Sequence, residues 1–165
     1  MFNIDYAAFF RGFPPELVTI FVAMIPIAEL RVSLPLALGV YKLPLFSAFL
    51  YSFIGNIIPV FFILWFFGPV SRFLIRHSSF FRKFFNWLFE RTRRKYRKNS
   101  ERYGVLIALI LFVAIPLPVT GAWTGSLAAF LFGVPYKKAI LTIVLGVLIA
   151  GMIVSAVYLG TISLI

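Results

Sequence analysis

The sequence contains no cysteine, one histidine and five acidic residues among its 165 positions. Without cysteine the chain forms no disulfide and offers no thiolate ligand to a metal ion. Its few acidic residues and the single histidine show no metal-ligand spacing, and neither a glycine-rich phosphate loop nor a nucleophile elbow is present. We therefore expect a protein that is not an enzyme and that needs no cofactor or metal.

Charge is also scarce. Only 13% of the residues are charged and 62% are hydrophobic, whereas soluble domains carry about 25% charged residues. Apolar stretches long enough to cross about 30 Å of hydrocarbon cover residues 17–40, 44–70, 103–134 and 139–165. The composition predicts an all-α integral membrane protein, with residues 1–165 forming a single membrane domain.

The basic residues are concentrated in one segment. The net charge is +11, and eleven of the sixteen Lys and Arg residues lie between Ser71 and Tyr103. A basic block between apolar spans is the positive-inside signal, so residues 71–103 are predicted to be cytoplasmic. This explains the charge without nucleic acid as a partner, and we expect the protein in a prokaryotic plasma membrane.

Within this segment, Phe81, Phe84, Phe85 and Leu88 recur at helical spacing among positive charges. The pattern is typical of a basic amphipathic helix lying on a membrane surface. Anionic lipids of the inner leaflet are the predicted partner. The residues expected to contact that surface are Arg82, Lys83, Arg91, Arg93, Arg94 and Lys95.

Glu29 and Arg31 are the only charges in the apolar run from Leu17 to Val40. A charge at membrane depth is costly and usually faces a protein interior or a wet cavity. Burial penalises a carboxylate and a neighbouring guanidinium stabilises it, so Glu29 is a candidate proton carrier. Arg31 suits an anionic substrate. A purely structural Glu–Arg pair is the alternative, and a spacing of two requires non-helical backbone for direct pairing.

The two halves of the chain resemble each other. Ile25-Pro26 recurs as Ile115-Pro116, and each pair precedes a polar stretch, a Gly-Val pair and a long apolar segment. We assign residues 18–70 to a first repeat, 71–103 to a basic linker and 104–165 to a second repeat. Matching interrupted segments in two halves indicate a transporter binding site.

Prolines are expected to kink or break both halves: Pro26 and Pro35 flank the charged pair, and Pro116, Pro118, Gly121 and Gly125 interrupt the second half. Two topologies fit. Either each half contains ordinary kinked spans, four in all, or each contains a re-entrant helical hairpin followed by one transmembrane helix. The hairpin topology distributes the charges better and makes the halves inverted repeats.

Uncharged polar residues add candidates to the site. Thr120, Trp123 and Thr124 can supply hydrogen bonds or stacking from the second half, or satisfy local carbonyls and anchor the interface. Asn56 is a lone amide in the second apolar stretch, where an amide can bond across helices.

The motifs Ile25–Pro35 (IPIAELRVSLP) and Ile115–Gly133 (IPLPVTGAWTGSLAAFLFG) resemble the putative small multidrug export protein family, which is more remotely similar to DedA-type membrane proteins. The resemblance covers roughly residues 18–160. It implies two opposed re-entrant hairpins and membrane transport, and in DedA-like relatives movement of phosphate-bearing lipids coupled to protons or another ion.

Carried over by motif, Glu29 and Arg31 become functional residues of the first hairpin, followed by Pro35. The turn of the second hairpin would be formed by Pro116, Pro118, Thr120, Gly121 and Trp123. The DedA-type pattern has basic residues in the second hairpin, whereas residues 107–134 of this chain carry no charge.

Together these features predict a proton- or ion-coupled transporter of an amphiphilic anionic substrate, such as a lipid-linked phosphate or a drug-like amphiphile. A homodimer is expected because two full spans enclose little cavity. The alternative is a membrane-organising protein without a transport cycle, acting through its basic amphipathic helix.

Overall fold

A computed structural model describes residues 12–77, 83, 102–116 and 120–163 of the chain, and these contain helices and no strand. We number the helices in chain order: α1 Pro15–Met24, α2 Glu29–Gly39, α3 Leu45–His77, α4 Arg102–Ala114, α5 Ala122–Leu131 and α6 Tyr136–Ser163. Two short helices precede a long one, twice. The predicted all-α class is confirmed.

Two helices are long and apolar enough to cross a membrane, Leu45–Phe66 within α3 and the whole of α6. Both expose large apolar side chains, including Phe62 at 60%, Trp65 at 66% and Val157 at 64%. Such surfaces are unfavourable in water and natural against lipid. The other four helices have 10 to 13 residues. They rise about 15–20 Å, well short of the hydrocarbon thickness.

The chain forms two compact units. Unit 1 contains Met1–Asn56 and Gly151–Ile165, and unit 2 contains Ile57–Ala150. Unit 1 therefore holds α1, α2, the first part of α3 and the last part of α6. Unit 2 holds α4, α5 and the remaining parts of the two long helices.

The break in the first half lies at Pro26. Helix α1 ends at Met24, and Ile25 adopts extended backbone with φ −73° and ψ 130°, as expected of a residue before proline. After the turn, α2 packs against α1. Pro35, which was expected together with Pro26 to kink or break this stretch, lies inside α2, and the helix continues without a break to Gly39. The proline removes one intrahelical hydrogen bond, and the other bonds of the helix carry it past that position.

The second half is interrupted over a shorter stretch than predicted. Helix α4 ends at Ala114 and α5 begins at Ala122, after Gly121 with φ 147°. The prediction that Gly125 interrupts the chain is wrong, since it lies inside α5. A Cβ atom at Gly125 would lie 2.5 Å from Val113 Cγ2 of α4, so glycine there permits the two helices to approach closely.

A similar contact between a long helix and a short helix occurs within each half. Gly55 lies ten residues after the start of α3, and a Cβ atom there would collide with the Ile20 carbonyl oxygen of α1. Gly146 lies ten residues after the start of α6, and a Cβ atom there would lie 3.1 Å from the Ile110 carbonyl oxygen of α4. Each isoleucine is six residues before the proline of its turn.

The surroundings of this contact also correspond. Ala48 and Ala139 are both wholly buried, and the amide of each donates to the proline carbonyl four residues earlier at 2.9 Å. Small side chains let membrane helices pack closely. These matching contacts support the predicted internal repeat, which itself stays a prediction.

Candidate functional site

Glu29 is the first residue of α2 and its side chain is 5% exposed. Its φ is 48°, in the left-handed region that costs a non-glycine residue about 1 kcal/mol. Strain of this kind persists where the surrounding structure enforces it, which is common at functional sites. The Glu29 amide donates to the Ile25 carbonyl at 2.9 Å, which holds the turn in place.

Arg31 pairs directly with Glu29. Arg31 Nη2 donates to Glu29 Oε2 at 3.4 Å, and the Arg31 side chain is 21% exposed. Residues two apart lie on different faces of a regular helix. The positive φ of Glu29 supplies the non-helical backbone that direct pairing was predicted to need. The result is a carboxylate enclosed by protein and a guanidinium that reaches the surface.

Asn56 and Pro35 are the other predicted site residues in unit 1. Asn56 is 3% exposed, and its Oδ1 atom has no hydrogen-bond partner within the part of the chain that the structure describes. The predicted hydrogen bond across helices is therefore not formed by this oxygen. Pro35 is half-buried in α2 and offers no polar side chain.

Two buried serines of unit 1 were missed by the sequence reasoning. Ser33 and Ser52 are wholly buried, and neither hydroxyl has a hydrogen-bond partner among the described residues. Ser33 lies four residues after Glu29, and Ser52 lies four residues before Asn56. Inside α3 the spacing of Ser52 and Asn56 places both residues on one face of the helix, and it is the sequence signal that was available.

The predicted residues of the second half lie in unit 2. Thr120 donates to the Ile115 carbonyl at 2.8 Å, which closes the turn between α4 and α5. Thr124 donates to the Gly121 carbonyl at 3.4 Å, and Trp123 is half-buried in α5. Pro116 lies two residues after the end of α4, whereas Pro118 lies outside the described residues. Substrate contact by this group stays a prediction.

Of the residues expected to contact the lipid surface, the structure describes Lys83, which is helical and exposed. Arg82, Arg91, Arg93, Arg94 and Lys95 lie outside the described residues. The amphipathic helix of the basic segment therefore stays a prediction.

Comparison with known proteins gives one family. The family model described as "Putative small multi-drug export protein" matches residues 29–153, most of the chain, beginning at Glu29 itself. No curated protein and no solved structure matches. The more remote resemblance to DedA-type proteins stays a prediction.

Proposed function

The chain belongs to the small multi-drug export protein family, and we propose that it is an ion-coupled transporter that moves an amphiphilic anionic substrate through a site at Glu29 and Arg31. One observation carries the proposal. In a chain with few charges, a buried carboxylate is paired with a partly exposed guanidinium at a strained helix start.

Arg31 is the group proposed to bind the substrate. A guanidinium stays charged in proteins, and its planar fork matches phosphate and carboxylate oxygens. Its partial exposure gives an anionic head group access to this charge. A lipid-linked phosphate is the substrate class of first choice, because its apolar tail can remain in the bilayer while Arg31 takes the head group.

Ion binding and substrate binding are coupled because Glu29 and the substrate both use Arg31. Glu29 and an anionic substrate compete for the same guanidinium, so the substrate binds well only when the charge of Glu29 is neutralised. A proton or a metal cation on Glu29 releases Arg31 to the substrate. The ion gradient can then drive the substrate, since one binding event favours the other.

The proposed topology consists of two re-entrant hairpins, α1–α2 and α4–α5, in inverted repeats, with α3 and α6 crossing the membrane. Supporting this, the short helices are about half a bilayer long, and a helix that folds back after a turn returns to the side it came from. Helix α2 begins at Glu29, directly after such a turn. A homodimer is proposed because two spanning helices alone enclose little cavity.

The test is transport by the purified protein in liposomes, with a fluorescent short-chain isoprenyl phosphate as the probe. Arg31→Lys keeps the charge but loses the fork. We expect at least a tenfold loss of flux at unchanged yield, whereas Lys137→Gln, at an exposed position, retains flux. Equal flux in Arg31→Lys and the parent protein contradicts the role of Arg31.

A membrane-organising role is the second candidate, supported by the eleven basic residues between positions 71 and 103. The same liposomes distinguish transport from membrane organisation. Neutralising Arg91, Arg93, Arg94 and Lys95 should leave flux per inserted protein nearly unchanged if transport is the function. Absent flux in the parent protein, with vesicle binding that depends on these four residues, supports the organising role instead.

A further inference from the structure

Glu29 adopts left-handed backbone at the start of a helix, where this conformation is unusual. Its φ is 48°, whereas the residue before a helix normally has extended backbone and the residues that follow are right-handed. Lys42 is the other non-glycine residue with positive φ among those that the structure describes. It lies after the end of α2, and left-handed residues are common where a helix ends. The conformation of Glu29 therefore needs a different explanation.

The turn of the second half takes its positive φ at a glycine. Gly121 lies directly before the first residue of α5 and has φ 147°. Glycine adopts positive φ without the steric cost that a side chain brings. The turn of the first half has a glutamate with positive φ instead, and it carries a cost that glycine would avoid. We look for the offsetting interaction in the Glu29 side chain.

The ion pair with Arg31 is that interaction. Arg31 Nη2 lies 3.4 Å from Glu29 Oε2. Residues two apart point about 200° away from each other around a regular helix, so they do not pair directly there. The ion pair and the left-handed backbone of Glu29 therefore depend on each other. A hydrogen bond between charged groups is strong enough to offset the steric cost of one left-handed residue.

The residues before Glu29 already fit the start of a regular helix. Ile25 has extended backbone with φ −73° and ψ 130°, as an N-cap residue does. Pro26 comes next, at the first helical position, where proline is favoured because its missing N–H is not needed. Ala28 has right-handed backbone with φ −80° and ψ −58°. This stretch is compatible with a helix that begins at Pro26 instead of Glu29.

The hydrogen bonds of the turn lead to the same conclusion. The Glu29 amide donates to the Ile25 carbonyl at 2.9 Å, and the Val32 amide donates to the carbonyl four residues earlier at 3.2 Å. Both bonds join residues four apart, as in an α-helix. Among the described residues, no bond joins the Leu30 amide to the Pro26 carbonyl, although a continuous helix would contain it. The helical bonding is thus present on both sides of Glu29 and interrupted between them.

We propose that Glu29 is the hinge of a conformational switch and that its ion pair with Arg31 holds the hinge in the left-handed state. When the pair breaks, Glu29 adopts right-handed backbone and residues 26–28 wind onto the start of α2. The helix then extends from Pro26 to Gly39. Each state has its own compensation, the ion pair in one and the longer helix in the other, as a two-state element requires.

The turn has room to rewind. Ile25, Pro26 and Ile27 are exposed, and Ile27 is 92% exposed. No packed side chain has to be displaced at these three positions. Winding also supplies the missing hydrogen bond from the Leu30 amide to the Pro26 carbonyl, so the backbone gains a partner as the ion pair is lost.

This inference rests on the proposed function and gives its conformational step. In that function the substrate occupies Arg31 while an ion neutralises Glu29, so a loaded site contains no ion pair. Ligands that bind only the unpaired state shift the equilibrium toward it. Loading therefore winds the turn, and release of the substrate and the ion restores the pair.

The test measures a distance across the turn. Spin labels are attached to cysteines introduced at Ile27 and Leu17, both exposed, in the full chain in lipid nanodiscs. Double electron–electron resonance compares the labelled parent with Arg31→Met and Glu29→Gln, each of which breaks the ion pair. We expect both to shift the distance in the same direction by about 5 Å, the rise of one helical turn. Lys42→Met, which removes an exposed charge from the other left-handed residue, should leave the distance unchanged.

Two results overturn the switch. One is an unchanged distance in Arg31→Met and Glu29→Gln, where either variant suffices if the other does not fold. The other is an equal shift in Lys42→Met, which indicates general loosening. Flux of the isoprenyl phosphate is measured separately: unchanged distances with intact flux remove the switch and leave the transporter. Shifted distances without flux in the parent protein remove the transporter and leave a turn controlled by the ion pair.

Discussion

Asn56 and Val147 each lie eleven residues after the start of a long helix, α3 or α6, and directly after a glycine that contacts a short helix, α1 or α4. One is a buried amide whose oxygen has no hydrogen-bond partner among the described residues, and the other is a buried valine. The two glycine contacts therefore have neighbours of different polarity at the same place in the helix.

The first prediction exchanges these two residues. Asn56→Val should stabilise the protein by about 1 kcal/mol, because it removes a buried oxygen that has no hydrogen-bond partner within the described part of the chain. Val147→Asn should destabilise it by about 1–3 kcal/mol for the opposite reason. Chemical denaturation of each variant in detergent measures both. Destabilisation by Asn56→Val would instead show that the amide has a structural role.

The second prediction concerns the glycine contacts. Gly55→Ala should destabilise the protein by about 1–3 kcal/mol, because the new methyl group meets the backbone of α1. Gly146→Ala should cost a similar amount against α4. The control is Gly160→Ala, where a Cβ atom meets nothing within 4 Å and the change should be neutral or stabilising. The measurement is thermal unfolding of the three variants. Equal melting temperatures for all three would contradict close contact at Gly55 and Gly146.

The third prediction concerns the energetics of the charged pair. Arg31→Met should destabilise more than Glu29→Gln, because it leaves a buried carboxylate without its counter-ion, a loss of about 3 kcal/mol in buried pairs. The double variant should cost less than the sum of the single ones. The measurement is a double-mutant cycle of unfolding free energies for the parent protein, the two single variants and the double variant. Additive losses would mean that the 3.4 Å contact carries no coupling.

The fourth prediction concerns the turn of the second half. Thr120→Val should lower the unfolding free energy by about 1 kcal/mol, because it removes the hydrogen bond to the Ile115 carbonyl. Thr120→Ser should retain most of it. If Thr120→Val keeps the parent stability but loses transport, the hydroxyl serves the substrate instead of the turn.

The fifth prediction concerns topology. Since the chain has no cysteine, single-cysteine variants report position without a background. In the hairpin topology, Lys138→Cys reacts with membrane-impermeant thiol reagents from the cytoplasmic side and Asn3→Cys from the exterior. Four simple spans require the opposite pattern at both positions.

Several features of the fold were predictable because one residue decides them locally. Pro26 and Pro116 end helices by steric clash, and the pairing of Glu29 with Arg31 over two residues demanded a non-helical backbone, which the structure has. Pro35 shows the limit of the same rule: a proline costs one hydrogen bond, and whether the helix continues depends on tertiary packing.

The buried serines could not be recognised in the same way. A serine in an apolar helix normally bonds to its own backbone, so Ser33 and Ser52 look ordinary in the sequence. Only the three-dimensional structure distinguishes them from Ser126, whose hydroxyl donates to the Ala122 carbonyl at 2.6 Å. Helix α3 continues to His77, beyond residue 70, where the sequence analysis ended the first repeat, because basic residues do not stop a helix.

The most direct test of the central claim is ion-driven flux of the isoprenyl phosphate in liposomes that contain Glu29→Gln or Glu16→Gln protein. Glu16 is a half-buried carboxylate in the first turn of α1 and serves as the matched control. The account predicts that Glu29→Gln folds, inserts and no longer responds to the ion gradient, whereas Glu16→Gln transports like the parent. Gradient-driven flux that is equal in the two variants would contradict it.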